Sequence, residues 1–231
     1  MSRTQQNVKK VSRSLANRKA GRPKSSQLQG DALKEHVIGA ASLVYGKWGF
    51  HESSVEKIVK AAGISRPLFY RLFDNKEQII DVVVQQKNTE LVLATQVAIK
   101  PLTDIMSIID AGIDTYFKWC KKNRLVVSAI YREINDPLTP ACKQYQQTID
   151  TQLANYFAKF KQIELPPIQQ ELFLALTKTV EYVANETIKP GQQDKDYVEM
   201  QQNIARRIVF ATLTSSEEIA PISPLKTILS K

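Results

Sequence analysis

Ser53-Ser54-Val55-Glu56-Lys57-Ile58-Val59-Lys60-Ala61-Ala62-Gly63-Ile64-Ser65-Arg66-Pro67-Leu68-Phe69-Tyr70-Arg71-Leu72-Phe73-Asp74-Asn75-Lys76-Glu77 is the stretch on which the fold turns. Ser53, followed three residues later by Glu56, has the spacing of a capping box and opens a short helix. Val55, Ile58, Val59 and Ala62 give that helix one apolar face, and Gly63 stops it. Ile64-Ser65 makes a tight turn. Ser65 is placed to cap a second short helix, whose first turn tolerates Pro67 because the N–H there has no intrahelical partner. Leu68, Phe69, Leu72 and Phe73 supply its apolar contacts, whereas Ser65, Arg66, Tyr70 and Arg71 are polar. Two short helices joined by a turn containing glycine form a helix-turn-helix pattern. In such a motif the second helix lies in the major groove with its N-terminal residues at base edges. The motif falls at about 54–73.

Upstream, residues 31–48 read as an amphipathic helix with Asp31 as N-cap. Leu33, Val37, Ala41, Val44 and Trp48 lie on one face, and Gly49 lies beyond the end. Downstream, Asp74-Asn75 caps a long helix over 76–99 that Pro101 ends. Segments 102–122, 123–134, 138–163, 167–188 and 195–214 also read as helical, divided at Asn123, Pro137, Pro140, Pro166-Pro167 and Pro190-Gly191. No β alternation is sustained. The expected fold is therefore all-α: a three-helix unit over 31–80, which on spacing alone is either a helix-turn-helix DNA-binding head or a plain two-helix corner of an all-α domain, and a helical bundle over 81–215. A basic arm over 1–30 and a tail over 216–231, containing Pro221-Ile222-Ser223-Pro224, flank them.

The charge is unevenly placed. The chain has 231 residues and a net charge of +9, yet residues 1–30 alone carry eight basic side chains and no acid. The remainder is close to neutral, so basicity belongs to the arm. An arm of that composition without apolar periodicity is expected to be disordered. Each phosphate it neutralises would release counterions. Within it, Lys19-Ala20-Gly21-Arg22-Pro23-Lys24 resembles an AT-hook core. Pro23 keeps such a segment extended and Gly21 removes bulk, so that Arg22, flanked by Lys24, can enter a narrow minor groove. The arm lacks the apolar face that an interfacial helix inserts into a membrane.

The stretch 53–77 resembles the signature of the tetracycline-repressor-like (TetR) family. Its features are a hydroxyl pair, an Ile-x-x-x-Ala-Gly-Val-Ser turn (Ile64 standing in the Val place here), an aromatic Tyr, a closing Phe and Lys-Glu. The resemblance implies a transcriptional regulator that docks on a palindromic double-stranded operator as a homodimer, each head reading one half-site. Ser54 then matches a hydroxyl that meets a phosphate, and Lys76 a phosphate-contacting lysine at a helix N-terminus. Tyr70 matches an aromatic whose hydroxyl reaches the backbone. Ser65 and Arg66 stand at the mouth of the recognition helix. Arg66 is the candidate for base readout, since a guanidinium can bond guanine O6 and N7 together; Arg71 is placed for base or phosphate. Pro67 stands where many relatives have Gly and offers a flat face to a thymine methyl. Phe50, Val55, Ile58, Ala62, Ile64, Phe69 and Phe73 are read as the small core of the head.

The resemblance also implies a small-molecule effector in the bundle and a dimer interface on its last two helices. Tyr116, Trp119, Tyr131, Glu133, Phe173 and Tyr182 are the candidate pocket residues, with Glu181 also among apolar neighbours. Phe173, Leu176, Val180 and Val183, with Ile204, Ile208 and Leu213, are candidates for the paired faces. No cofactor is expected. Catalysis finds no support: His36 and His51 lie in no motif, and no HExxH, GxSxG or P-loop pattern occurs. An architectural DNA-binding protein would use the arm but not the charge-balanced bundle. A redox sensor would need Cys120 or Cys142 as a reactive thiol. Two cysteines make no disulfide framework and point to a reducing, cytosolic compartment. No run of apolar residues reaches membrane-span length.

Overall fold

The computed structural model describes residues 30–163 and 170–214, all of whose regular structure is helical. The helices are α1 (Asp31–Glu52), α2 (Val55–Ala62), α3 (Arg66–Tyr70), α4 (Lys76–Ile99), α5 (Ile105–Lys122), α6 (Arg124–Glu133), α7 (Pro140–Gln162), α8 (Gln170–Glu186) and α9 (Lys195–Thr214). Arg22, Lys24, the Pro166-Pro167 break and the C-terminal tail lie outside the described residues.

Most helix ends fall where the local chemistry demands. Asn75 accepts from Gln78 N at 2.8 Å and opens α4. Asp104 accepts from Ser107 N at 2.8 Å and opens α5. Thr139 accepts from Cys142 N at 3.2 Å, so Pro140 starts α7 instead of interrupting it. Two caps differ from the sequence reading. Gly30, not Asp31, is the N-cap of α1, and Asp31 sits in the first turn, where its charge suits the helix dipole. At α2 the cap is Ser54, which accepts from Lys57 N at 3.2 Å. Ser53 is buried instead, its hydroxyl donating to Gly49 O and its N–H to Phe50 O. Those bonds replace the expected capping box and leave Glu56 exposed.

α1 does not stop cleanly at Gly49. Gly49 has φ 74° and ψ −177°, a conformation that only glycine adopts without strain, and the chain resumes one short turn to Glu52 beyond this kink. Trp48 also departs from the sequence reading: it is 44% exposed. The ammonium groups of Lys47 and Lys57 lie over its ring, 4.9 and 4.5 Å from the centroid.

The apolar residues gather in two cores. The first joins α1, α2, α3 and the start of α4, through Val37, Tyr45, Ile58, Phe69, Phe73 and Ile80, and takes in Val126, Ala129 and Ile130 of α6. The second fills the bundle of α4, α5, α7, α8 and α9, through Leu91, Ile108, Phe117, Leu153, Phe160 and Leu176. α4 serves both cores, and α6 packs on α1, α7 and α8. The head is thus held to the body by two helices.

Candidate nucleic-acid interface and cavity

α3 is only five residues long and could not persist alone. Three anchors hold it. Ser65 caps it, accepting from Leu68 N at 3.4 Å. Phe69 is wholly buried, with its ring centroid 5.9 Å from that of Phe73. Gly63, in the left-handed conformation at φ 68°, turns the chain between α2 and α3 and donates its N–H to Val59 O. With Phe69 inward and Leu68 and Leu72 half-buried against the first core, the opposite face is forced outward. Ser65, Arg66, Pro67, Tyr70 and Arg71 are all exposed. Tyr70 is 54% exposed and rests edge-on against Phe69.

Arg66 projects from the start of α3. Its guanidinium reaches Glu56 at 3.9 Å, and both side chains are more than half exposed. A long, solvated pair of this kind contributes little and is easily given up. Ser54, half-buried, sits at the α2 N-terminus beside this face. Lys76 opens α4, and its ammonium donates to three backbone carbonyls, Phe50 O, His51 O and Ser53 O, at 3.1, 3.3 and 3.2 Å. It also lies 4.6 Å from the Phe50 ring centroid. None of those three partners is a carboxylate, and the side chain pins α4 to the end of α1. The structure therefore brings Ser65, Arg66, Pro67, Tyr70 and Arg71 together on one helix face, with Ser54 and Lys76 at neighbouring helix starts. Arg22 and Lys24 lie outside the described residues.

Glu133, read from sequence as a pocket residue, is elsewhere. It stands at the end of α6, accepting from Phe50 N at 2.8 Å and from the Tyr45 hydroxyl at 3.0 Å. Its carboxylate occupies the space beside the Gly49 kink: a Cβ on Gly49 would come within 2.6 Å of Glu133 Oε1. The Tyr45 phenol is pushed far up, first by burial and then by the Glu133 charge. Nearby, His51 Nε2 lies 2.7 Å from Asp136 Oδ2, and that hydrogen bond holds the Asp136 carboxyl below its usual range. Head and body are joined by this cluster.

The bundle encloses a largely apolar cavity of about 80 Å³ between α4, α5, α7, α8 and α9. Tyr116 and Phe173 line it; Trp119, Tyr131, Glu133 and Tyr182 do not. Trp119 is buried and packs its ring on Tyr116, and Tyr182 is 58% exposed. Sequence reasoning passed over Thr95 and Gln152, which line the cavity together with Tyr156, one of the bundle's many aromatic residues. The signal for Gln152 was present, a polar residue flanked by the apolar positions Ile149 and Leu153 on α7. Glu181 reaches the cavity too. Burial pushes its carboxyl up, opposed by the hydrogen bond from Tyr145 and the charge of Lys178. Cys120 is fully buried beside Tyr116, and burial pushes its thiol up, away from the reactive thiolate. Among the described residues no cluster of three or more His, Cys, Asp or Glu side chains is arranged to hold a metal. No described helix is long and apolar enough to cross a membrane.

Comparison with known proteins agrees with this architecture. Residues 37–83 match the family described as bacterial regulatory proteins, tetR family. Over 97 residues the chain is 27% identical to the HTH-type transcriptional activator FasR of Mycolicibacterium smegmatis, covering 42% of this chain and 44% of that one. It is 25% identical over 130 residues to the HTH-type transcriptional regulator YdgC of Bacillus subtilis, covering 52% and 62%. The chain thus spans less than two thirds of these curated relatives. The fold is shared more widely. The fatty acid degradation regulator FadR from Bacillus halodurans superposes with a TM-score of 0.65 at 18% identity, covering 78% of this chain and 95% of that one. FadR from Bacillus subtilis, solved with stearoyl-CoA, gives 0.64 at 18% identity, covering 76% and 97%. The head, with its capped α3 and sealing Phe73, is thus the part of this chain that matches the tetR family of bacterial regulatory proteins.

Proposed function

We propose that the protein is a homodimeric, ligand-responsive repressor that reads a palindromic operator through α3. The observation that carries this reading is the five-residue face of Ser65, Arg66, Pro67, Tyr70 and Arg71, exposed on a helix whose other face is anchored by Phe69. Arg66 reads a base and Ser54 holds a phosphate, while Lys76, its three N–H donors engaged by carbonyls, adds its charge at the start of α4. Sequencing genomic fragments captured by the purified protein tests it: one enriched palindrome supports the reading, and uniform recovery refutes it.

Arg66→Ala is expected to lose about 1–3 kcal/mol on the selected duplex and to relax preference at one base pair. Anisotropy titrations across single-base variants check this; an equal loss on every sequence would make Arg66 a phosphate contact. Removing residues 1–24 is expected to weaken binding and flatten its salt dependence, because seven of the arm's phosphate-seeking charges lie before residue 24 and the eighth is Lys24 itself. An unchanged slope would exclude the arm from the complex.

The dimer rests on α9, where Met200, Ile204 and Ile208 recur every four residues and are 48, 38 and 40% exposed, with Tyr182 exposed on the adjacent α8. A stripe of this kind at helical spacing suits a two-fold, self-complementary contact. Two heads would then meet half-sites about 34–36 Å apart or a multiple of that distance. Ile204→Glu is expected to shift the protein to monomer mass in gel filtration and to weaken operator binding. The cavity between α4, α5, α7, α8 and α9 takes the effector. Repression ends when the ligand favours a dimer geometry that the operator does not accept, which requires different affinities for the two states.

A further inference from the structure

We propose that the effector is a small apolar amine, its cationic nitrogen seated against Glu181 and Gln152. This rests on the reading of the bundle cavity as the effector site and adds the chemistry of what fills it.

Among the described residues lining the cavity, Glu181 is the one charged side chain, 9% exposed. Gln152 on α7, 7% exposed, directs one of its two amide N–H groups to Thr95 Oγ1 at 3.3 Å, and its Oε1 has no hydrogen-bond partner among the described residues. Two of the lining threonines spend their hydroxyl protons on their own helices. Thr148 donates to Gln144 O and Thr177 to Phe173 O, each at 2.9 Å. Tyr145 donates to Glu181 Oε2. The one charged group lining the cavity and the one buried amide oxygen there without a partner are both acceptors, set among the hydroxyls of Thr95, Tyr116 and Tyr156, which can donate or accept. A ligand must supply donors to match the two acceptors, since a buried acceptor left unmatched is unfavourable.

Charge points the same way. The nearest cation, Lys178 Nζ, is 3.9 Å from Glu181 Oε2, but it does not line the cavity, its side chain is 40% exposed, and it donates to the Tyr145 hydroxyl. The Glu181 carboxylate is thus neutralised from the outer side only. An anionic ligand would meet it at close range in an apolar enclosure, where like charges repel strongly. An ammonium would complete a pair whose inner half is missing. The other walls, including Leu91, Ile113, Phe173 and Leu176, ask for an apolar body.

The test compares three six-carbon probes, hexylamine, hexanol and hexanoate, by titration calorimetry on the full chain at neutral pH. The amine is expected to bind at least about tenfold more tightly than the acid, the scale of one charge-assisted hydrogen bond. In Glu181→Gln that preference is expected to fall to within about threefold, the alcohol changing least. Binding of hexanoate as tightly as hexylamine by the unaltered protein overturns the proposal whatever the variant does. So does a preference that survives Glu181→Gln. Failure of all three probes to bind, while the captured palindrome is still preferred over other DNA, overturns the amine assignment and leaves the regulator reading standing. Loss of DNA preference itself strikes the regulator reading instead.

Discussion

Replacing Phe69 with alanine is expected to destabilise the protein by about 3–5 kcal/mol, the range for deleting a fully buried phenyl ring. The ring has no exposed surface. It lies against Phe73, with centroids 5.9 Å apart, and edge-on to Tyr70 at 5.4 Å. Because α3 has five residues, one hydrophobic anchor carries most of its positioning. The loss should therefore appear twice. In a chain of this size the thermal midpoint falls by roughly 10 °C, and specific DNA binding disappears in the protein that remains folded. Phe69→Leu, which keeps most of the volume, should recover much of both. A midpoint within about 2 °C of the unaltered protein, by the same conversion, would show that α3 is held by something other than this ring.

Glu133→Ala is the second large effect. Its carboxylate satisfies the Phe50 N–H and the hydroxyl of Tyr45, both buried groups. Removing it leaves two donors without partners, each worth about 1–3 kcal/mol, so a loss of about 3 kcal/mol is expected. Glu133→Gln retains one oxygen for the Phe50 N–H and should lose about 1 kcal/mol. The functional consequence separates this joint from an ordinary core contact. Phe50 also offers its carbonyl to Lys76. Loosening Glu133 therefore disturbs the end of α1, the start of α2 and the start of α4 together. Operator affinity should fall in the order Gln then Ala, by more than the unfolded fraction accounts for. Chemical denaturation and anisotropy on the same samples check this. Equal affinity per folded molecule in all three proteins would make Glu133 a stabilising strut without influence on the head.

The head was legible in the sequence because its signals are local. Ser65, Pro67, Gly63 and Asn75 each act on residues within four positions, and caps and turns follow from such short-range chemistry. The apolar spacing of Ile58, Val59, Ala62, Phe69 and Phe73 names the core side of α2 and α3, and what remains is the outward face. The errors at the same level are one-residue shifts. At Ser53 a carbonyl exposed by the Gly49 kink drew the hydroxyl away from the cap, and spacing does not announce a kink. Trp48 failed for a different reason: its helical phase is that of Val37 and Val44, but burial depends on whether another element covers that level of the helix.

The bundle was legible as helices and not as a cavity. Prolines and asparagines mark its breaks well. Which side chains converge depends on contacts between residues far apart in sequence, such as Gln152 with Thr95 and Tyr145 with Glu181. Aromatic content alone pointed to Trp119 and Tyr182, one packed into the core and the other on the surface. Glu133 looked like a ligand group because it is acidic among apolar neighbours. That same property makes it the receiver of two distant donors, 83 and 88 positions away.

The reading of α3 as a sequence probe is tested most directly by competition. The proposed palindrome, once captured from genomic DNA, is to be challenged on the 231-residue chain by its own scrambled permutation at physiological salt. The account predicts a specific-to-nonspecific affinity ratio of about 10³ or more, reduced markedly by Arg66→Ala. A ratio near one, with both duplexes bound equally and displaced equally, would contradict it.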